Sequence, residues 1–370
     1  MLKYDQNTFD ALIRTALNRA PANPELAKIF LDSSAQAKRY VIGRNEQSAA
    51  VAALLRLDGL IDDFAINRVP WNGLPLIRLN ELPQNAIVLN CSTSISPISV
   101  LGNLQRAGIN RVLNYADLVE ASNAALDWPD FVLKMRADYA EHVGDWFALF
   151  GLLEDEISRQ VLLDTMCYRV SAQPDYMTGY SVRLRDQYFE GFMQYREEVF
   201  VDAGGFDGDT TEEFCTRYPD YHAVHLFEPS SANIAAARAR LVGRERVHFV
   251  QRGLSDQTGV LHFNPDAGSA SAVSDAGSES IEVDTLDAML PGPVSFIKMD
   301  LEGWELQALT GARLHIVQDH PKLAIAVYHA AADFRVLPAY IRSLRQDYRM
   351  FLRHYTEGWS ETVMYFLPSA

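Results

Sequence analysis

VDAGGFDGDT, residues 201–210, decides how this 370-residue chain is read. The hydrophobic run Glu198-Val199-Phe200-Val201 feeds into glycines, and the glycines feed into an acidic, Thr-rich helix start. A strand, a glycine turn and a helix in that order form a ligand loop in an α/β sheet. A dinucleotide fingerprint starting at Gly204 needs glycines where Phe206 and Asp209 stand, and no Gly-Lys-Ser/Thr follows to make a phosphate loop. A pyrophosphate here would also face Asp207 and Asp209. One like-charge contact at about 4 Å costs about 4 kcal/mol at an effective dielectric of about 20. A phosphate ligand is excluded.

A sulfonium cofactor has the opposite character. S-adenosylmethionine carries a cationic sulfonium and ammonium, and its one carboxylate can use free N–H groups at a helix start. The D-x-G-x-x-x-G spacing of Asp202, Gly204 and Gly208 lets the chain turn sharply beneath the methionine part, with Gly205, Phe206, Asp209 and Thr210 completing the loop. Asp202 either receives the ammonium or holds the loop in shape. Thr210 and Glu213 have the spacing of a capping box, a structural reason for both. Glu228, in FEP at the end of the next strand, is expected to accept from both ribose hydroxyls. Ser255 and Asp256, in GLSD after the third strand, are expected beside the adenine amino group, although turn chemistry explains them nearly as well.

Outward from this loop the pattern alternates. EEVFVDA, AVHLFE, RVHFVQ, VSFIKMD and KLAIAVYH are strands separated by helical stretches, with GVLHF and SIEV as a hairpin in place of one crossover helix. MFLRHYTEGWSETVMYFLP gives a terminal antiparallel hairpin. Parallel strands ending in such a hairpin describe a class I methyltransferase sheet over residues 197–370. Upstream, residues 1–116 hold two helices' worth of pattern and a smaller Rossmann-like α/β alternation: RYVIG, LIDDFAI and AIVLNCS are strands. Gly43 stands alone where a fingerprint needs three glycines, so a docking or scaffold domain is favoured over a nucleotide site, and the Asp62-Asp63 pair suits a solvated turn. Residues 117–196 read as a helical connector.

With VDAGGFDGDT, FEP, GLSD, VDTLD and IKMDLEGWELQALTGA in this order, residues 187–367 resemble the FkbM-type methyltransferases. The resemblance implies S-adenosylmethionine as cofactor and methylation of a hydroxyl on a sugar, glycan or polyketide-like small molecule. It extends to QYF at Gln187–Phe189 and to EDEISR in the connector. Relatives carry a Glu before the His that ends strand five; this chain has Tyr328-His329 there, with no acid.

Methyl transfer is an in-line displacement, so catalysis is chiefly alignment, helped by a base for the hydroxyl proton. Asp300, Glu302 and His329 fall at strand ends four and five, where such groups collect. Asp300 is expected beside the sulfonium, with Glu302 or His329 nearest the acceptor proton, and Tyr188 closing over the cofactor. Asp300 and Glu302 also suit a helix start, and His329 suits a core. No HExxH or clustered His/Cys spacing is present, so a divalent metal between Asp300 and Glu302 is the lesser alternative and no metal ligand is assigned. The alternative function is a non-catalytic scaffold that keeps the fold.

A net charge of −15 excludes a broad grip on nucleic acid or anionic membrane, and the Arg238, Arg240, Arg244 and Arg246 cluster reads as a solvated face. Nor is there an Asn/Asp-Pro-Pro-aromatic stretch for an amino target. Cys91, Cys167 and Cys215 lack CxxC spacing and fit small core residues in a reducing compartment. The amphipathic, acid-bearing start is no signal peptide, and no apolar run approaches the roughly 20 residues of a membrane span. A cytoplasmic location and a homo-oligomer built through the N-terminal domain are the corresponding expectations.

Overall fold

The two alternations become two separate parallel sheets. The computed structural model describes residues 4–263 and 279–369, and the chain divides into two units. The first comprises Met1–Phe147, Gln160–Val182 and Tyr355–Ser360, the second Ala148–Arg159, Arg183–His354 and Glu361–Ala370.

In the first unit α1 (Gln6–Leu17) and α2 (Pro24–Leu31) lead into β1 (Arg39–Ile42), α3 (Glu46–Leu54), β2 (Gly59–Ile61), β3 (Leu76–Ile77), β4 (Ile87–Asn90), α4 (Pro97–Arg106), β5 (Val112–Asn114) and α5 (Tyr115–Ala121). The strands are parallel in the order β3-β2-β1-β4-β5, the Rossmann arrangement. Val41, Val88 and Leu89 are fully buried, as central parallel strands covered on both faces require. The strand expected through Asp62-Asp63 stops at Ile61: Asp62 turns back to accept from the N–H groups of Phe64 and Ala65, and Asp63 accepts from Leu79 N–H. Cys91, Cys167 and Cys215 are buried free thiols.

The expected connector is not a body of its own. Its helices, α6 (Asp130–Leu152) and α7 (Glu156–Ser171), are shared between the units. Early in α7, Ser158 Oγ accepts from Leu352 N–H and from Arg353, holding that turn in the second unit. Farther along, Tyr168 donates to the Thr93 carbonyl of the first unit.

The second unit adds β6 (Val199–Ala203), α8 (Asp209–Arg217), β7 (Ala223–Phe227), α9 (Ser231–Arg240), β8 (Val247–Val250), β9 (Gly253–Leu254), β10 (Gly259–Phe263), β11 (Glu279–Asp284), α10 (Leu286–Met289), β12 (Phe296–Met299), α11 (Glu305–Gly311), α12 (Arg313–Gln318), β13 (Lys322–Ala326), α13 (Asp333–Leu344), β14 (Tyr348–His354) and β15 (Thr362–Pro368). Seven strands order as β14-β15-β13-β12-β6-β7-β8, with β15 antiparallel to both β13 and β14 and the remaining pairs parallel. This is the expected class I methyltransferase sheet. The hairpin expected from GVLHF and SIEV is also present: β10 and β11 pair antiparallel and join β9 in a small sheet. Phe200 and Phe296 stack at 4.5 Å between centroids, locking β6 to β12 from within the core. Among the described residues, no helix is long and apolar enough to cross a membrane.

Within the first unit, the carboxyl edge of its sheet is filled by the chain's own segment Tyr355–Ser360. The Glu357 carboxylate accepts from Ser99 N–H and Ser99 Oγ, both at 2.6 Å, at the N-terminus of α4, where Ser96 makes no side-chain cap. Glu357 and Trp359 N–H groups donate to the Ile95 and Thr93 carbonyls. A Cβ on Gly358 would lie 2.2 Å from the carbonyls of Thr93 and Ser94. An anion already sits where a helix start would otherwise attract a phosphate. Glu357→Ala is expected to cost about 2 kcal/mol in urea unfolding, as for a lost buried cap, and Glu357→Gln clearly less.

His225 and His248 face each other across β7 and β8 with rings stacked at 4.9 Å. Burial, then the charge of His248, lowers His225 from 6.5 to about 4. Between those values the unfolded chain takes a proton that the folded one refuses, so stability is full above pH 6.5 and falls toward pH 4. His225→Gln is expected to flatten the melting temperature between pH 7 and pH 5.

Candidate functional site

β6 and β12 are neighbours where the strand order reverses, with β7 leading away on one side and β13 on the other. Ligands of open α/β sheets bind outside the strand ends at such a switch point. In the register of these strands, Lys298 lies opposite Asp202. Its Nζ stands 3.0 Å from Asp202 Oδ1 and donates to the carbonyls of Gly204 at 2.7 Å and Ala203 at 3.3 Å. Asp202 Oδ2 accepts from Thr211 Oγ1 at 2.7 Å. Burial works to strip the charge from Lys298, but Asp202 and Asp300 outweigh it and raise its pKa. Both oxygens of fully buried Asp202 are thus engaged. Of the two roles expected for this residue, the structure gives it the second: it holds the loop.

The glycines fit that loop for distinct reasons. Gly204 has φ +75°, and a Cβ on it would lie 1.9 Å from the Asp300 carbonyl oxygen. Gly205 packs where a Cβ would strike Leu226 at 2.3 Å, and both N–H groups donate to the Phe227 carbonyl. Gly208, at φ +83°, starts α8. Because α8 begins at Asp209, Thr210 is already inside the helix and the expected capping box is not formed; Asp209 Oδ1 accepts from Thr210 N–H, and Glu213 pairs with Arg217 instead. Asp207 turns away to Arg240, which also reaches Glu212, so this arginine is part of the loop's support as well as a surface residue.

Above the loop is a cavity of about 1020 Å³ lined entirely by the second unit. Gly204, Phe206, Asp209 and Thr210 form one side, Glu228 and Asn233 the next, and Gln251, Gly253 and Leu254 the far end. Tyr188, Lys298, Asp300, Glu302, Tyr328 and Glu361 complete the wall. Glu228 accepts from Phe206 N–H, Ser230 N–H and Asn233 Nδ2. A carboxylate has about four acceptor positions, so Glu228 retains room for one hydroxyl, not the two expected. Burial raises its pKa against those hydrogen bonds. Ser255 and Asp256 are not on the wall: Ser255 Oγ accepts from Trp304 Nε1 behind it, and the preceding Gly253 and Leu254 face the cavity.

At the opposite end the acids gather. Asp300 Oδ2 accepts from Tyr188 Oη at 2.8 Å, and Tyr328 Oη lies 3.3 Å from Oδ1. Gln187 Nε2 donates to Tyr188 Oη and to Glu361 Oε2. Burial, then the charge of Asp300, pushes Glu361 up to about 7. Burial likewise raises Glu302, whose side chain is 52% exposed on the wall. His329, expected near the acceptor proton, is only 5% exposed and stands behind the wall. Its Nε2 lies 3.4 Å from Asp300 Oδ1 and from Glu302 Oε2, and its Nδ1 3.1 Å from Glu305 Oε1. Burial opposes its charge, but Glu305, Asp300 and Glu302 prevail and hold it at about 9. A histidine that keeps its proton does not serve as the base. Tyr188, Phe206, Glu302 and Glu361 all have φ between +44° and +73°. Left-handed backbone at non-glycine residues, about 1–3 kcal/mol each, concentrates at sites where surrounding structure over-determines the geometry.

Sequence reasoning missed Gln187, Lys298, Glu305, Tyr328 and Glu361 as site residues. Lys298 had a signal, a lone charge inside the apolar strand FIKM; Glu361 had none, because only the terminal hairpin carries it to the cavity.

The family profile described as the methyltransferase FkbM domain matches residues 202–356, the span holding the loop, Glu228 and the acidic cluster. The chain carries a methyltransferase FkbM domain. The solved structure of methyltransferase FkbM from Methylobacillus flagellatus is similar to this chain at a TM-score of 0.74 and 23% identity, covering 98% of this chain and 100% of that one. That likeness extends the shared fold to the unit preceding the methyltransferase domain. An rRNA methylase from Streptococcus thermophilus (13% identity, TM-score 0.32, 54% of this chain and 96% of that one) and fibrillarin from Aeropyrum pernix with bound S-adenosyl-L-methionine (9%, 0.30, 50% and 71%) are too distant in geometry to bear on the site. No curated protein matches.

Breaking a buried ion pair by removing one partner costs about 3–5 kcal/mol, while removing both costs much less than the sum. Lys298→Met and Asp202→Asn are each expected to destabilise the methyltransferase domain on that scale in urea unfolding. The double variant is expected to recover part of the loss.

Proposed function

We propose that the protein is an S-adenosylmethionine-dependent O-methyltransferase acting on a hydroxyl of a sugar, glycan or polyketide-like small molecule. The observation that carries this reading is the charge of the cavity. Asp209, Glu228, Asp300, Glu302 and Glu361 line it, and Lys298, the cation on the same wall, is already paired with Asp202. Such a wall suits a cationic cofactor and opposes a phosphate-bearing one. The methyltransferase domain supplies the reaction class, and the glycine floor at the start of α8 supplies room for the methionine carboxylate.

In the proposed reaction the acceptor oxygen bonds to the methyl carbon as the carbon–sulfur bond breaks, and sulfur leaves as a neutral thioether. Asp300 faces the sulfonium, with Tyr188 and Tyr328 fixing its carboxylate. The hydroxyl proton passes to the acidic wall, where Glu361 titrates near working pH and is aimed by Gln187. Glu228 takes one ribose hydroxyl, and the Gly253–Leu254 end receives the adenine. Alignment is the main catalytic effect.

Calorimetry with S-adenosylmethionine tests the cofactor, and a screen of sugars, nucleotide sugars and glycans with labelled cofactor tests the acceptor. Glu228→Ala is expected to weaken cofactor binding at least about tenfold, the scale of one lost charge-assisted hydrogen bond. Glu361→Gln is expected to retain binding but lose most turnover. Absence of binding by folded wild-type protein removes this reading.

A further inference from the structure

The acids behind Asp300 are arranged around a histidine in a way that proton transfer does not use. Glu305 is 1% exposed and its Oε2 makes no hydrogen bond; its Oε1 accepts from Leu301 N–H at 2.7 Å. Neither ring nitrogen of His329 makes a hydrogen bond of good geometry. One ligand atom from each of Asp300, Glu305 and His329 lies within 4.8 Å of the others. On the cavity side, His329 Nε2 is 3.4 Å from both Asp300 Oδ1 and Glu302 Oε2. Ligand bonds of about 2.1 Å at tetrahedral to octahedral angles separate donor atoms by about 3.0–3.4 Å. The other nitrogen, Nδ1, faces Glu305 Oε1 at 3.1 Å. A metal-bound histidine characteristically turns its second nitrogen to a carboxylate, which sets its tautomer and orientation.

We propose that Asp300, Glu305 and His329 bind a divalent transition-metal cation, Glu305 closing the ligand set through its free Oε2 while its Oε1 faces the second imidazole nitrogen. One imidazole nitrogen with carboxylate oxygens suits manganese, ferrous iron or zinc better than calcium or magnesium. The cation replaces the imidazole proton and balances carboxylates that otherwise stand within 3.4 Å of one ring. Asp300 also lines the cavity, so the ion sits within reach of an acceptor hydroxyl and would lower its pKa. That catalytic consequence rests on the methyl-transfer reading; the site itself does not.

The test is therefore made without cofactor. Full-length protein is stripped with chelator and titrated with Mn²⁺ alone, with free ion followed by electron paramagnetic resonance. One Mn²⁺ per chain is expected to bind well below millimolar concentration, with nitrogen modulation in the pulsed spectrum. His329→Gln is expected to abolish that modulation, and Asp300→Asn and Glu305→Gln to weaken binding at least tenfold, in variants whose melting curves show a folded protein. Millimolar or weaker binding by the wild type overturns the site. So does nitrogen modulation that persists in folded His329→Gln, or affinity unchanged in folded Asp300→Asn and Glu305→Gln. Cofactor calorimetry on the stripped protein remains a separate measurement, so failure here leaves the cofactor reading standing.

Discussion

The ion pair of Lys298 with Asp202 is the constraint on which the methyltransferase site depends. Two opposite charges are buried side by side on adjacent strands, and the ammonium also ties down the first two carbonyls of the glycine loop. The loop therefore leaves β6 in one direction only. That direction brings Gly204 against the Asp300 carbonyl so closely that no side chain fits between them. The loops after β6 and β12 become one surface, and everything lining the cavity is placed relative to it. A buried pair of this kind contributes specificity more surely than net stability, because desolvation offsets much of its attraction.

A second constraint is the terminal hairpin. β15 is inserted antiparallel between β13 and β14, and its first neighbour in sequence, Glu361, adopts left-handed backbone on the cavity wall. The segment before it belongs to the first unit, where Glu357 caps α4 and Gly358 lies against two carbonyl oxygens. The first unit thus retains Rossmann topology while one of its helix starts is occupied by a carboxylate of the chain itself.

The chemistry of the site follows from unequal burial among similar acids. Asp202 is sealed and paired, Glu305 is sealed with one oxygen free, Asp300 is partly covered by two tyrosines, and Glu302 is half exposed. Of these, Asp300 and Glu302, joined by Glu361, crowd one end of the cavity, away from the Gln251, Gly253 and Leu254 end.

Read alone, the sequence determined the sheet and its closing hairpin, because period-two apolar runs and glycine turns are local properties of the chain. It also argued against a dinucleotide loop, since Phe206 and Asp209 stand where that fingerprint needs glycine. Several placements were beyond it. Asp202 turned inward because Lys298 lies opposite in register, Ser255 was taken up by Trp304, and His329 was set behind the wall by Glu305. Glu361 reached the cavity from the far end of the chain. Which face a side chain takes depends on strand register, on left-handed backbone and on partners distant in sequence, and only the tertiary structure supplies these.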